Sequence, residues 1–155
     1  MNRFARLLPA NHVLVDLDVS SKKRLFEQIG LLFENTRQIP RARVFDSLFD
    51  REKLGSTGLG YGVAIPHGKI DGLTRIYGLF TRLSEPIDYK AIDGKPVDLV
   101  FLLLSPPDAG AEHLKALATV SRITRHVPTL EKMRGARSRD ALAAVLMGAD
   151  ERDAA

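Results

Sequence analysis

The residue of this sequence best suited to chemistry is His67, which lies between Pro66 and Gly68. The proline restricts the residue before it to an extended conformation, and the glycine leaves no side chain beside the imidazole. A glycine-dense stretch, residues 55–62, precedes the histidine. Because a backbone with few side chains lets its N–H groups approach an anion closely, this stretch predicts an anion-binding loop next to His67.

Other motifs that would explain such a loop do not match. Residues 62–69 begin like a nucleotide-binding phosphate loop, but five residues instead of four separate the glycines, and Ile70 replaces the Ser or Thr that binds magnesium. The glycines of 58–62 do not continue into a dinucleotide-binding pattern. The pair 112–113 (Glu-His) is too little for a metal site, and no G-x-S-x-G hydrolase motif is present. We therefore expect no cofactor and no metal, and the absence of cysteine excludes thiol chemistry.

A histidine in an anion-binding loop fits a reaction in which the imidazole itself accepts a phosphoryl group and passes it on. With the ordinary histidine pKa near 6.5, about three-quarters of the side chain is neutral and nucleophilic at pH 7. Charge-assisted hydrogen bonds to the phosphoryl oxygens would contribute about 1.5–3 kcal/mol each. A second interpretation, a regulator that senses an anion and carries no covalent phosphate, stays open. His12 and His126 lie in no motif and are interpreted as structural.

Length and composition predict the setting of this histidine. The 155 residues, 45% hydrophobic and 27% charged, indicate one globular domain over 1–155, with a core at about 5–148 and a frayed tail at 149–155. No apolar run is long enough to span a membrane, and Pro9 interrupts any signal-like start, so we expect a cytoplasmic protein without membrane insertion. The net charge of +4 indicates no partner by itself.

Helices and strands alternate along the chain. Strands are predicted over 13–15, 63–65, 74–83 and 97–104. Helices are predicted after Ser20 or Ser21, after Pro40, over 110–126, from Pro128, and between Ser138 and Gly148. The helix over 110–126 is predicted to bury Leu114, Leu117, Ala118 and Ser121. Because the apolar run of 97–104 requires cover on both faces, we predict a three-layer α/β/α sandwich around a central mixed β-sheet.

A resemblance to a known family rests on residues 51–69, whose sequence is REKLGSTGLGYGVAIPHGK. This run resembles the active-site segment of the fructose/mannitol-type IIA domains of the bacterial phosphoenolpyruvate phosphotransferase system. Residues 112–117 (EHLKAL) resemble the segment that carries the second histidine of that family. The sequence of residues 54–60 (LGSTGLG) and the stand-alone length resemble those of the nitrogen-regulatory branch of this family. The resemblance covers about 5–148 and implies the phosphotransferase IIA fold of the mannitol/fructose type.

The resemblance also implies roles for individual residues. His67 would be the phosphorylated nucleophile, receiving its phosphate from the histidine of an HPr-like phosphocarrier protein. Arg51 would neutralise phosphate charge, and His113 would donate a hydrogen bond to the phosphoryl group or orient His67. Three further residues would contact the phosphate from a loop: Thr57, Gly58 and Gly68. Tyr61 departs from the Asn expected in many relatives, which bears on the choice of partner.

The partners follow from the same resemblance. A regulatory phosphocarrier of the nitrogen phosphotransferase system would signal through its phosphorylation state to a target such as a potassium transport or sensor component. The alternative is a sugar-specific IIA component that passes phosphate to a IIB domain. Nucleic acid is not an expected partner, because the basic residues of 122–139 are interrupted by acidic ones and lack interleaved aromatic residues.

Overall fold

The computed structural model describes the backbone of residues 6–154 and the side chains of residues 6–149. The strands are β1 Val13–Leu17, β2 Gly58–Gly60, β3 Val63–Ala64, β4 His67–Lys69, β5 Tyr77–Ile87 and β6 Val97–Ser105. The helices are α1 Lys22–Arg37, α2 Arg41–Glu52, α3 Ala111–Thr124, α4 Val127–Gly135 and α5 Arg139–Ala154, and a 3-10 turn, Ala10–His12, precedes β1. None of the described helices has the length and apolar character that a bilayer crossing requires.

The strands form one mixed sheet in the order β1-β5-β6-β3-β2. β5 and β6 pair antiparallel, whereas β1 runs parallel to β5. β3 and β4 both run parallel to the other edge of β6, β3 beside Leu99 and Val100 and β4 beside Leu103 to Ser105. β6 is therefore the central strand, as its apolar run predicts.

Helices cover both faces of this sheet. One hydrophobic cluster joins β5 and β6 to α1 and α2, and a second joins the opposite face to α3, α4 and α5. Successive residues of β6 alternate between the two clusters, with Leu102 in the first and Phe101 and Leu103 in the second. The prediction of a three-layer α/β/α sandwich with a mixed sheet is confirmed.

Local signals in the sequence set several helix starts. The hydroxyl of Ser21 accepts the backbone N–H of Arg24 at 3.1 Å and caps α1, and Ser138 caps α5 in the same way through the N–H of Ala141 at 3.0 Å. Pro40 immediately precedes the first residue of α2. These starts confirm the predicted caps.

Two helix predictions are wrong. The buried face of α3 is formed by His113, Ala116, Val120 and Ile123 instead of the predicted stripe, and Leu114 is 65% exposed. Polar side chains lie on this buried face beside the aliphatic ones, so apolarity alone selects the wrong phase of the helix. The last helix does not end before Gly148, since α5 continues through Ala154. The frayed tail stays a prediction, because the side chains of 150–155 lie outside the described residues.

The strand predicted over 63–65 ends one residue early, at Ala64. After Ile65 and Pro66 the chain forms a second short strand, β4, outside the predicted range. The backbone oxygen of Pro66 still accepts the N–H of Leu103 at 3.1 Å, so the chain stays beside β6 throughout. The break between β3 and β4 places His67 at the start of a strand that the sequence pattern did not predict.

Candidate active site

The candidate site lies near the edge of the sheet at which the parallel strands β4 and β6 both end. His67 begins β4 and pairs with Leu103 of β6, and His113 lies in the first turn of α3, the helix that follows β6. The two imidazole rings are 5.6 Å apart between centroids, with 56° between their planes. Carboxyl ends of strands in open α/β sheets form ligand-binding crevices. The fold thus brings together two histidines that are far apart in the sequence.

Two hydrogen bonds define the tautomer of His67. Its Nδ1 lies 2.9 Å from the carbonyl oxygen of Ile65, which can only accept, so the ring proton is on Nδ1. Its Nε2 lies 3.2 Å from Nε of Arg51, which can only donate, so the lone pair is on Nε2. The neutral ring therefore presents Nε2 as its nucleophilic atom.

The surroundings of His67 favour this neutral form. Burial lowers the pKa of His67 below its usual 6.5, and the nearby positive charge of Arg51 lowers it further. The hydrogen bond to Ile65 and the negative charge of Glu52 act in the opposite direction, but the pKa remains lowered. Nε2 is consequently unprotonated at neutral pH.

Arg51 is held by two contacts. It lies in the last turn of α2, and besides the contact with His67 its Nη1 donates to the carbonyl oxygen of Gly55 at 2.9 Å. Gly55 has a φ of 146°, a conformation that residues with a side chain rarely adopt. Because a guanidinium has five N–H donors, Arg51 retains donors for an anion beside Nε2.

His113 forms the second side of the site. It is 7% exposed, and its Nδ1 lies 2.5 Å from Oγ of the fully buried Ser105. Burial lowers the pKa of His113, and the positive charges that His67 carries when protonated and that Lys69 carries lower it further. With Nδ1 bound to the serine, Nε2 is the nitrogen that can contact a phosphoryl oxygen. The N-terminal turn of α3 adds the favourable end of a helix dipole for an anion.

A cleft of about 510 Å³ opens at these groups. Arg51, His67 and His113 line it together with the exposed Lys69 and one acidic residue, Asp50, so two cationic side chains and two imidazoles face one carboxylate. Leu54, which is 83% exposed, lines the same cleft. The cleft thus combines a nucleophile, cationic groups and an apolar contact surface open to solvent.

Of the three residues predicted to contact phosphate from a loop, Thr57 and Gly58 do not line this cleft. The hydroxyl of Thr57 is buried against Tyr89, 2.8 Å from its OH, and against the carboxylate of Glu52. A side chain at Gly58 would lie 2.7 Å from Cβ of Ala91, so this glycine allows close packing. Their predicted contacts with phosphate find no support in the geometry.

Gly68 does line the cleft, but for a reason other than the one expected. A Cβ there would lie 2.0 Å from Oγ of Ser47 on α2, so the glycine permits β4 to pack against that helix. The helix packing in turn places Arg51 beside His67. Gly68 is best described as a packing residue of the site.

Sequence reasoning missed several contributors to the site. Ser105 lies one residue beyond the strand predicted over 97–104, and its hydroxyl contacts the ring of His113. Leu114 was assigned to the core, whereas it is exposed and lines the cleft. The position of Leu114 directly after His113 was the signal in the sequence that could have placed it at the cleft.

Among residues 6–149, no group of three or more His, Asp or Glu side chains is arranged to hold a metal ion.

Comparison with known proteins identifies relatives of this arrangement. Residues 6–148 match the family model described as phosphoenolpyruvate-dependent sugar phosphotransferase system, EIIA 2. A nitrogen regulatory protein of Bradyrhizobium diazoefficiens is 50% identical over 141 residues, which cover 90% of this chain and 92% of the relative. A fructose-specific EIIA component of Haloferax volcanii is 38% identical over 118 residues, covering 76% of this chain and 77% of the relative.

A solved structure agrees with the sequence relatives. The crystal structure of the nitrogen regulatory protein IIA-Ntr from Neisseria meningitidis superposes with a TM-score of 0.88 at 45% identity. The superposition covers 92% of this chain and 98% of the other. The phosphotransferase IIA fold expected from the resemblance is therefore confirmed.

Proposed function

We infer that this chain, which belongs to the type 2 EIIA family of the phosphoenolpyruvate-dependent sugar phosphotransferase system, is a regulatory phosphoryl carrier whose acceptor atom is Nε2 of His67. One observation carries the proposal. Nδ1 is committed to the carbonyl of Ile65, and the lone pair of Nε2 faces a guanidinium at the edge of an open cleft. The family match supplies the phosphotransfer role, and the geometry supports the choice of atom.

The transfer step is a displacement between two histidines. The hydrogen bond from Arg51 first releases the lone pair of Nε2. This lone pair forms a new N–P bond while the N–P bond of a phosphohistidine on an HPr-like carrier breaks. The donor ring is protonated on its other nitrogen, so the returning electron pair leaves a neutral donor imidazole, and the positive ring charge passes to His67. Nδ1 of His67 keeps its proton through the hydrogen bond to Ile65. No net proton is released, so no separate base is required.

The cleft supplies the groups that the transferred phosphoryl needs. A donor N–H of Arg51 lies beside the acceptor atom and can bind a phosphoryl oxygen once Nε2 carries it. His113 contributes a second contact from the N-terminus of α3, where an anion is favoured. These preorganised charges stabilise the negative charge in transfer and in the phosphorylated product.

The proposed output is regulatory. Phosphorylation places about two negative charges in a cleft whose rim includes exposed leucines, which changes the surface that a partner contacts. The nitrogen regulatory names of the relatives favour a regulatory target. We propose that this target is a protein such as a potassium transport or sensor component. We place the protein in the cytoplasm as a single IIA domain over residues 1–155.

A sugar-specific role is the second candidate, and the fructose-specific name of the Haloferax relative favours it. In that role phosphate would pass from His67 to a IIB domain. Adding purified fructose or mannitol IIB domains to the phosphorylated protein tests this directly. Rapid loss of phosphate to a IIB domain would favour the sugar role, and retention of phosphate would favour the regulatory one.

The phosphorylation itself is tested in a reconstituted relay. The protein is incubated with phosphoenolpyruvate, the first-stage enzyme and the phosphocarrier, and intact-mass spectrometry counts the phosphates. We expect one acid-labile phosphate, its loss in His67→Ala, and its retention in the control His126→Ala. His126 is a suitable control because its side chain binds Oγ of Thr129, away from the cleft. Full phosphorylation of His67→Ala would reject the assignment.

A further inference from the structure

We propose that Glu52 is a positioning residue for phosphoryl transfer, whose buried carboxylate holds the loop that orients Arg51 on His67. This inference rests on the function proposed above and adds a residue that touches none of the reacting atoms. Glu52 is the last residue of α2 and directly follows Arg51 in the sequence.

The carboxylate of Glu52 is buried and surrounded by donors. Its side chain is 4% exposed, and its Oε2 pairs with Nζ of Lys22 at 2.9 Å. Its Oε1 accepts the OH of Tyr89 at 3.0 Å and the hydroxyl of Thr57. The backbone N–H of Thr57 also donates, at 3.2 Å to Oε1 and 3.3 Å to Oε2. Burying a charge is unfavourable without such partners, so this cluster is a specific arrangement.

The donors come from three separate parts of the chain. Lys22 is the first residue of α1, Tyr89 follows β5, and Thr57 belongs to the glycine-rich loop. Nζ of Lys22 also lies 4.2 Å from the centroid of the Tyr89 ring, a cation–π contact that ties the two donors together. Glu52 therefore anchors the loop to the body of the domain.

The loop between Glu52 and Thr57 contains the carbonyl that holds Arg51. Nη1 of Arg51 donates to the oxygen of Gly55, midway along this loop. Because Glu52 binds the backbone N–H of Thr57, it fixes both ends of a short segment and thereby the position of the Gly55 oxygen. The path runs from the carboxylate through the loop to the guanidinium and then to Nε2 of His67.

The charge of Glu52 also reaches the acceptor. It raises the pKa of His67, against the larger effect of burial and the opposing charge of Arg51. A change at Glu52 is therefore expected to alter the titration of His67 as well as the orientation of Arg51.

The variant Glu52→Gln tests the proposal with little change in shape. An amide has one acceptor oxygen and one NH₂ group, so it cannot accept from Lys22 on one side and from Thr57 and Tyr89 on the other. We expect the transfer rate at saturating donor to fall about tenfold, the size that loss of a charge-assisted hydrogen bond produces. The matched control is Glu27→Gln, which removes the same charge from an exposed pair with Arg24.

A double-mutant cycle separates positioning from general destabilisation. If Glu52 acts through Arg51, then adding Glu52→Gln to Arg51→Ala lowers the rate by no more than about twofold, because the oriented group is already absent. A structural effect independent of Arg51 would multiply the two losses. Adding Lys22→Met to Glu52→Gln removes the donor that faces the new NH₂ group, and we expect it to restore part of the rate.

The outcomes distinguish this inference from the function on which it rests. If the unaltered protein takes no phosphate, the proposed function fails. If it takes phosphate but Glu52→Gln matches Glu27→Gln, or the losses multiply with Arg51→Ala, the positioning role is rejected. If Glu52→Gln does not fold, Tyr89→Phe removes one donor from the same carboxylate and is carried through the same cycle, with an expected fall of about threefold.

Discussion

Two histidine–arginine pairs in this molecule are built in the same way. At the cleft, His67 directs Nδ1 to the carbonyl of Ile65 at 2.9 Å and Nε2 to Nε of Arg51 at 3.2 Å. Before β1, His12 directs Nδ1 to a carbonyl, that of Gly78, at 2.7 Å and Nε2 to Nε of an arginine, Arg37, at 3.4 Å. In both, burial is the main cause that lowers the imidazole pKa.

The two pairs differ in access. His12 is completely buried, with its ring 5.3 Å from that of Phe33 and 6.4 Å from that of Tyr77, measured between centroids. His67 is half-buried and lines a cleft that also contains His113. Hydrogen bonds thus select the tautomer at both sites, but of the two rings only that of His67 lines this open cleft, beside Arg51 and His113.

The largest expected difference between the pairs concerns their arginines. Arg51→Ala should lower the rate of phosphoryl transfer about 100-fold, because charge-assisted donors of about 1.5–3 kcal/mol each are lost next to the acceptor. Arg37→Ala should leave the rate within about twofold and instead lower the free energy of unfolding, since Arg37 packs over Tyr77. Transfer rates and urea unfolding of both variants check this. Equal loss of rate in the two variants would remove the distinction between the pairs.

A smaller effect is expected from His113, for which the buried pair of His12 and Arg37 has no counterpart among the contacts described above. His113→Ala should slow transfer about tenfold, because one hydrogen bond to the phosphoryl group is lost while Nε2 of His67 remains available. Ser105→Ala, which frees Nδ1 of His113, should cause part of the same loss. Quenched-flow measurement of phosphate uptake provides the rates. An unchanged rate in His113→Ala would mean that His67 and Arg51 suffice.

The smallest effect concerns stability, where the two pairs should behave alike. An unfolded histidine binds a proton near pH 6.5, whereas folded His12 and His67 bind it only at lower pH. Between the pKa values of the folded state and about pH 6.5, the unfolded state holds more protons than the folded state. The free energy of unfolding therefore falls as pH falls below about 6.5, and it levels off below the folded pKa values. Urea titrations at pH 7.5 and 5.5 should show a smaller difference in His12→Leu and in His67→Leu. The same difference in all three proteins would contradict the burial of neutral rings.

Sequence patterning predicts the centre of this fold better than its functional edge. The apolar run of β6 and the cap at Ser21 are local signals, and both are confirmed. β4 has three residues, a proline before it and a glycine within it, so its pairing comes from β6 and not from any pattern of its own. The sequence pattern therefore did not predict the strand that carries His67, although it did identify the histidine as a candidate site residue.

Burial of polar residues was the other source of error. Glu52 stands in a charged run next to Arg51 and Lys53, and nothing local indicates that its carboxylate is enclosed. Its donors come from three distant segments, which only the folded chain brings together. The buried face of α3 includes His113 for the same reason, since its partner Ser105 lies on a strand.

The central claim is that Nε2 of His67, and no other ring nitrogen, accepts the phosphoryl group. Nuclear magnetic resonance of the phosphorylated protein, labelled with ¹⁵N-histidine, tests it through the coupling between phosphorus and the ring nitrogens. We predict a single phosphoryl group bonded to Nε2 of His67, with Nδ1 still protonated and both nitrogens of His12 unchanged. A phosphoryl group on Nδ1 of His67, on His113 or on His12 would contradict the account.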